Sequence, residues 1–127
     1  MIINAPVLKL DSELKIMGAA NNLLTLLGKD TYELLKQNNN QQMLRKLNET
    51  IQCFNLAEGI AVRRTDKIIA YMGLVFASFS ALNLDRMFLE IAMIKDLPEY
   101  LKDIKIDDIQ TAGRHPDELK YQIQTIY

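Results

Sequence analysis

The 127-residue sequence contains one cysteine, one histidine, three prolines and no tryptophan. Because Cys53 has no second cysteine to pair with, it forms no disulfide within the chain, which indicates a reducing compartment. The first residues lack the charged start and the continuous apolar run of a signal peptide. We therefore expect a cytoplasmic protein.

Motifs of catalysis and of metal binding are also missing. No spacing of Cys and His suggests zinc, no glycine-rich loop suggests a phosphate site, and no serine lies in a nucleophile elbow. The single histidine, His115, directly precedes a proline in a segment where a rigid catalytic geometry is hard to hold. Cys53 lies beside the apolar Phe54, which favours a small, half-buried thiol over a nucleophile. We predict that the protein is not an enzyme and has no catalytic residues, no metal site and no cofactor.

Three carboxylates late in the chain have a spacing that could form a cation site. On a continuous helix Glu99, Asp103 and Asp107 would share one face at i, i+4 and i+8, and oxygen ligands suit magnesium or calcium. Lys102 and Lys105 are interleaved with them, and no EF-hand loop accompanies them. A solvated helix face is the interpretation that the sequence favours.

Composition is that of one globular domain. Apolar residues make up 49% of the chain and charged residues 24%. The formal net charge of −1 gives no overall field that would attract nucleic acid or an anionic membrane.

The feature that dominates the sequence is an uncharged run of residues 68–84. If the run is helical, its small residues share one narrow line at i, i+3, i+7 and i+11, namely Ala70, Gly73, Ala77 and Ala81. Such a helix needs neighbours on most sides. The apolar spacings in residues 12–27, 44–54 and 84–97 predict amphipathic helices that would surround it, the last ending before Pro98. The predicted fold class is all-α, a compact bundle of five or six helices around a central apolar helix.

Two other structures compete for the same run. The first is an α+β fold with a β-hairpin at about residues 60–76, in which Ile60, Val62, Ile68 and Ile69 flank a polar turn at 65–67. The second is a small membrane protein, since the run is just long enough to span a bilayer. Its serines and the amphipathic segments around it favour a soluble protein without a membrane role.

The chain is predicted to divide into a helical bundle domain at 1–106 and a linker with a C-terminal docking segment at 107–127. The end of that segment fits a helix or a strand equally well, so its type stays open. Its apolar residues are the predicted partner-binding residues, Tyr121, Ile123, Ile126 and Tyr127.

We expect a non-enzymatic protein that acts by protein–protein interaction with a partner the sequence does not name. Self-association into a homodimer or a larger assembly is expected through Gly73, Ala77 and Ala81, because small residues permit a close approach of helices. The alternative is a nucleic-acid-binding regulator that uses Arg63, Arg64 and Lys67. The abundance of Ile, Asn and Lys indicates an A/T-rich genome and suggests an accessory or regulatory protein of a mobile element or virus.

Overall fold

The computed structural model describes residues 1–11, 15–30, 33 and 41–120. Its strands are β1 (Ile2–Asn4), β2 (Val7–Asp11), β3 (Lys15–Met17), β4 (Cys53–Arg64) and β5 (Lys67–Ser78). The α-helices with defined bounds are α1 (Ala19–Asn22), α2 (Gln41–Thr50) and α3 (Ala81–Ile91). Short 3-10 helices cover Leu23–Leu26, Glu99–Leu101, Ile106–Asp108 and Pro116–Glu118.

The five strands form one mixed sheet with β4 near its centre. β5 pairs antiparallel with one edge of β4, while β1 and β2 pair in parallel with its other edge, one after the other. The residues between β1 and β2 include Pro6, which has no N–H for the sheet but accepts a hydrogen bond from the Glu58 N–H at 2.9 Å. β3 completes the sheet by pairing antiparallel with β2.

β4 and β5 form a long hairpin whose reversal lies at Thr65 and Asp66. Thr65 has a φ of 54°, and Arg64 pairs directly with Lys67 across the turn. Further along β5 the pairing register shifts, and Gly73 there has a φ of 68°, a conformation in which a side chain is strained. Tyr71 and Val75, on either side of this irregularity, are both exposed.

The core lies between one face of the sheet and the helices. α3 begins at Ser80, whose hydroxyl accepts a hydrogen bond from the Asn83 N–H at 3.2 Å. Phe88 of α3 is fully buried and meets Phe76 of β5 edge to face. Further fully buried side chains come from the strands, from α3 and from the segment after it, namely Leu8, Ile16, Ala57, Val62, Leu89 and Leu101.

The predicted all-α bundle is wrong, because the structure is α+β with a five-stranded mixed sheet. The run expected to form a central helix, residues 68–84, is instead most of β5 followed by the start of α3. Ala70 is buried while Gly73 and Ala77 are exposed, so the expected small stripe is divided between two faces of a strand. The alternative hairpin at about 60–76 agrees with the structure, although the observed hairpin is longer, from Cys53 to Ser78.

Of the other predicted helices, one is confirmed and the rest are wrong or end early. The helix predicted in 44–54 is confirmed for Gln41–Thr50, whereas Phe54 belongs to β4. The helix expected in 12–27 is wrong, since residues 15–17 are β3 and α1 is only one turn long. In the stretch 84–97 the helix ends at Ile91, and Met93 follows with a φ of 58°. The unit predicted at 1–106 is therefore not a helical bundle; nothing in the structure tests the boundary at 106.

Candidate interaction surface

The face of the sheet turned away from the helices carries apolar side chains, and we call it the outer face. In a strand with one buried face, successive side chains alternate between core and solvent, and the solvent side is usually polar. Here the outward positions are large and apolar, each with 40% to 78% of its surface exposed. They are Ile3, Val7, Leu56, Ile60, Ile68, Tyr71, Val75 and Phe79.

The pairing register shows that these residues form one continuous surface. Ile3 pairs with Phe54, Leu56 with Ala77, and Glu58 with both Val7 and Val75. Residues that pair directly across neighbouring strands point to the same side of a sheet. At one end of the surface the Phe54 and Phe79 rings lie 5.3 Å apart at a tilt of 59°.

The outer face is large for a protein surface that meets only water. The eight exposed side chains together offer on the order of 800 Å², whereas the largest apolar patch of a monomer usually measures about 300–600 Å². A standard protein–protein interface takes about 800 Å² from each partner. No described helix or strand covers this face.

Charge is sparse on the outer face. The Glu58 carboxylate lies within it, and it accepts hydrogen bonds from the N–H groups of Ile60 at 2.6 Å and Ala61 at 3.1 Å. Lys9 and Arg63 are paired near the hairpin turn, at the far end from the Phe54 and Phe79 rings. The middle of the surface therefore presents an apolar area whose one carboxylate already has hydrogen-bond donors.

Two of the three predicted self-association residues lie on the outer face. Gly73 and Ala77 are both exposed there, and an added Cβ at Gly73 would meet nothing within 4 Å. Ala81 is instead buried at the start of α3, with 5% of its surface exposed. The structure thus keeps Gly73 and Ala77 together and separates Ala81 from them.

The basic residues proposed for nucleic-acid binding lie at the end of the hairpin. Arg63 and Arg64 end β4, and Lys67 begins β5 opposite Arg64. Because neighbouring residues of a strand point to opposite faces, Arg63 and Arg64 lie on different sides of the sheet. A nucleic-acid function for these three residues stays a prediction.

The predicted partner-binding residues, Tyr121, Ile123, Ile126 and Tyr127, lie outside the described residues. The described chain before them lines an open groove of about 690 Å³ beside β5. One wall of the groove is the end of β5, the other is the segment 109–114, and Leu84, Met87 and Ile91 of α3 form an apolar floor.

A buried carboxylate joins α3 to the first helix. Asp85 is fully buried, and it accepts hydrogen bonds from the N–H groups of Ala19 at 2.6 Å and Ala20 at 2.9 Å and from the Tyr100 hydroxyl at 3.3 Å. Burial raises the pKa of Asp85 from 3.8 to about 7, although the three hydrogen bonds act in the opposite direction. Burial also raises the pKa of Tyr100 well above its usual value, with the Asp85 charge adding to the shift. Gly18 permits the contact, since a Cβ there would lie 2.3 Å from Asp85 Oδ1.

Buried asparagines connect the sheet to the first helix. The Asn4 side-chain amide donates to the Ala19 carbonyl at 2.9 Å and to Asn55 Oδ1 at 2.8 Å, and the Asn22 amide donates to Asn4 Oδ1 at 2.6 Å. The Asn55 amide in turn donates to the Ser78 carbonyl at 3.0 Å. Because each partner is another protein group, this network stabilises the packing of the sheet.

The candidate chemical groups are placed apart from one another. Glu99 and Asp107 fall in separate 3-10 helices, and Asp103 pairs with Arg45, so the continuous carboxylate line expected from the sequence does not form. In the described ranges no three His, Cys, Asp or Glu side chains gather in a way that could hold a metal ion. His115 is exposed, and burial raises the pKa of the Cys53 thiol, which disfavours the reactive thiolate.

Comparison with family models, with curated proteins and with solved structures finds no match for this chain. Within the part of the chain that the structure describes, no helix is both long enough and apolar enough to cross a membrane. The class of molecule defined so far is an α+β protein with one apolar face of its sheet open.

Proposed function

We propose that this protein is a non-enzymatic binding protein that acts in the cytoplasm by docking the outer face of its sheet on another protein. The observation that carries the proposal is the exposure of large apolar side chains along β5 and just after it, with Tyr71 at 70%, Val75 at 60% and Phe79 at 78%. Fold stability does not require them, because the opposite face of the same strands already forms the core. Removal of such side chains from water is the main source of affinity between proteins.

The chemistry of the outer face favours a protein surface as its partner. A nearly neutral apolar area offers nothing to the phosphates of a nucleic acid, which attract clustered Lys and Arg. Occlusion or bridging is the mode of action that fits, since a flat face covers a partner's surface without changing it chemically. An accessory or regulatory role in a mobile element or virus is compatible with that mode of action.

Site-specific photo-cross-linking in cells that express the full chain tests this function. A photoreactive residue at Val75 should give discrete adducts with protein, because this side chain is exposed on the outer face. The matched control replaces Asp107, which is also exposed but lies outside the sheet, and should give none.

Raising the salt concentration should leave the Val75 adducts largely unchanged, because apolar contacts depend little on ionic strength. Equal adduct patterns from Val75 and Asp107, or no adducts from either, would contradict the proposed function.

A further inference from the structure

We infer that the partner of the outer face is a second copy of this chain, docked face to face about a two-fold axis that lies between the two sheets and passes over β5 at Phe76. This inference rests on the proposed function, since it names the partner of the same surface. Its first support is area. All of the exposed apolar side chains except Ile68 and Tyr71 lie where the two copies overlap, and they offer roughly 650 Å². This falls within the range of about 600–1,000 Å² that one partner contributes to a standard interface.

Self-complementary shape along β5 is the second support. A two-fold axis perpendicular to the strands reverses the direction of β5 in the second copy, so residues equally far from the axis face each other. With the axis at Phe76, Phe79 faces Gly73 of the second copy, and Val75 faces Ala77 of the second copy. Phe79 and Val75 each thus meet a smaller residue, and the exchange is reciprocal as a two-fold interface requires.

The hollows needed for this arrangement are present in the structure. Gly73 and Ala77 are exposed, and a Cβ built on Gly73 meets no atom within 4 Å, so the space above it is open to a Phe79 ring. Phe76 points to the opposite side of the sheet, where its ring meets Phe88. The axis itself therefore meets no outward side chain of β5.

The same axis also gives the facing residues of the neighbouring strand, β4. Ala57 is the register partner of Phe76, so the axis also passes over β4 at Ala57 and places Phe54 opposite Ile60 of the second copy. Leu56 then faces Glu58 of the second copy, whose carboxylate is already bound to two backbone N–H groups. Two sheets packed in this way lie about 10 Å apart, as in a β-sandwich.

Mass measurement of the purified full chain by analytical ultracentrifugation is the first part of the test. The protein should sediment as a dimer, and Ala77→Arg should weaken dimerisation by at least about 100-fold, because a long charged side chain would occupy the space that Val75 of the second copy fills. Gln42→Arg is the control, an exposed residue of α2, and should leave the dimer intact. Circular dichroism of Ala77→Arg should show the fold of the unmodified protein, so that a loss of dimer reports on the interface.

Cysteine cross-linking then tests the position of the axis. Val75→Cys lies one residue from the axis, and a short bis-maleimide should join two copies. Ile68→Cys lies on the outer face of the same strand, but its counterpart would be about 50 Å away and should not react. Native Cys53 is buried, with 5% of its surface exposed, and contributes little background.

The outcomes separate this inference from the proposed function. A monomer at high concentration, a dimer insensitive to Ala77→Arg, or cross-linking at residue 68 in place of residue 75 would each overturn the two-fold arrangement. If the photo-adducts at Val75 then contained a different protein, the proposed function would stand with another partner. Absence of both dimer and adducts would remove the two together.

Discussion

Ionisation of Asp85 should make the protein less stable as the pH rises. The carboxyl group has a pKa of about 7 in the folded protein and 3.8 when it is not buried. Below pH 3.8 it is protonated in both the folded and the unfolded states, so its contribution to stability is fully present there. Between pH 3.8 and about 7 the unfolded chain ionises first, and that contribution is progressively lost.

The size of the effect follows from the difference in pKa. One pKa unit corresponds to about 1.4 kcal/mol, so a difference of about three units lowers the free energy of unfolding by about 4 kcal/mol between pH 4 and pH 8. This is a large share of the 5–15 kcal/mol that is typical of a whole domain. Ionisation of Tyr100 does not contribute to this pH dependence, because its pKa is raised well above its usual value and it stays protonated throughout this range.

Urea denaturation of the wild type and of Asp85→Asn, measured between pH 4 and pH 8.5, isolates the effect. The variant keeps the shape of the side chain but cannot ionise, and its altered hydrogen bonds to Ala19 and Ala20 add a cost that does not depend on pH. Other titrating groups cancel in the comparison, so the stability of the wild type relative to the variant should fall by about 4 kcal/mol as the pH rises. A relative stability that rises with pH would refute this reasoning. It would show that the two N–H groups stabilise the ionised carboxylate by more than burial destabilises it.

Two further substitutions probe the same core. Gly18→Ala should destabilise the protein by about 2 kcal/mol or more in urea denaturation, because its Cβ would displace the Asp85 carboxylate from the N–H groups of α1. The control is Gly28→Ala, whose Cβ would meet nothing within 4 Å and which should cost far less. Equal costs at the two glycines would contradict the close contact at Gly18. Phe88→Ala should lower the midpoint of thermal unfolding and cost about 3–5 kcal/mol, since it removes a fully buried ring from the centre of the core; a loss below about 1 kcal/mol would show that this ring is not central.

The sequence predicted what depends on short-range pattern. The amphipathic spacing of Leu44 and Leu47 was sufficient to locate α2, whose outer side is polar. The polar residues 65–67 likewise located the turn of the alternative β-hairpin, which the structure places between Arg64 and Lys67. In both cases the local residue pattern and the tertiary environment favour the same structure.

Contacts between distant parts of the chain were not readable from the sequence. Asp85 belongs to α3, but it accepts hydrogen bonds from the N–H groups of residues 19 and 20, more than sixty positions earlier. The parallel pairing of Asn4 with Asn55 likewise spans 51 positions. The need for glycine at position 18 was not predictable either, because the residue that excludes a side chain there, Asp85, is distant in the sequence.

The error over β5 and the candidate site have the same physical origin. A strand is recognised in a sequence by alternation of apolar and polar residues, which requires polar residues at the outward positions. In β5 the outward residues include tyrosine, valine and alanine, so the sequence of this strand shows no alternation. Threonine at position 75 would keep a high strand propensity and expose less apolar surface to water, so the needs of the strand alone do not account for valine there. A side chain that costs solubility and adds nothing to the core is most simply explained by a surface that covers it. The apolar outward positions that hid the strand are therefore the best evidence in this chain for a docking face.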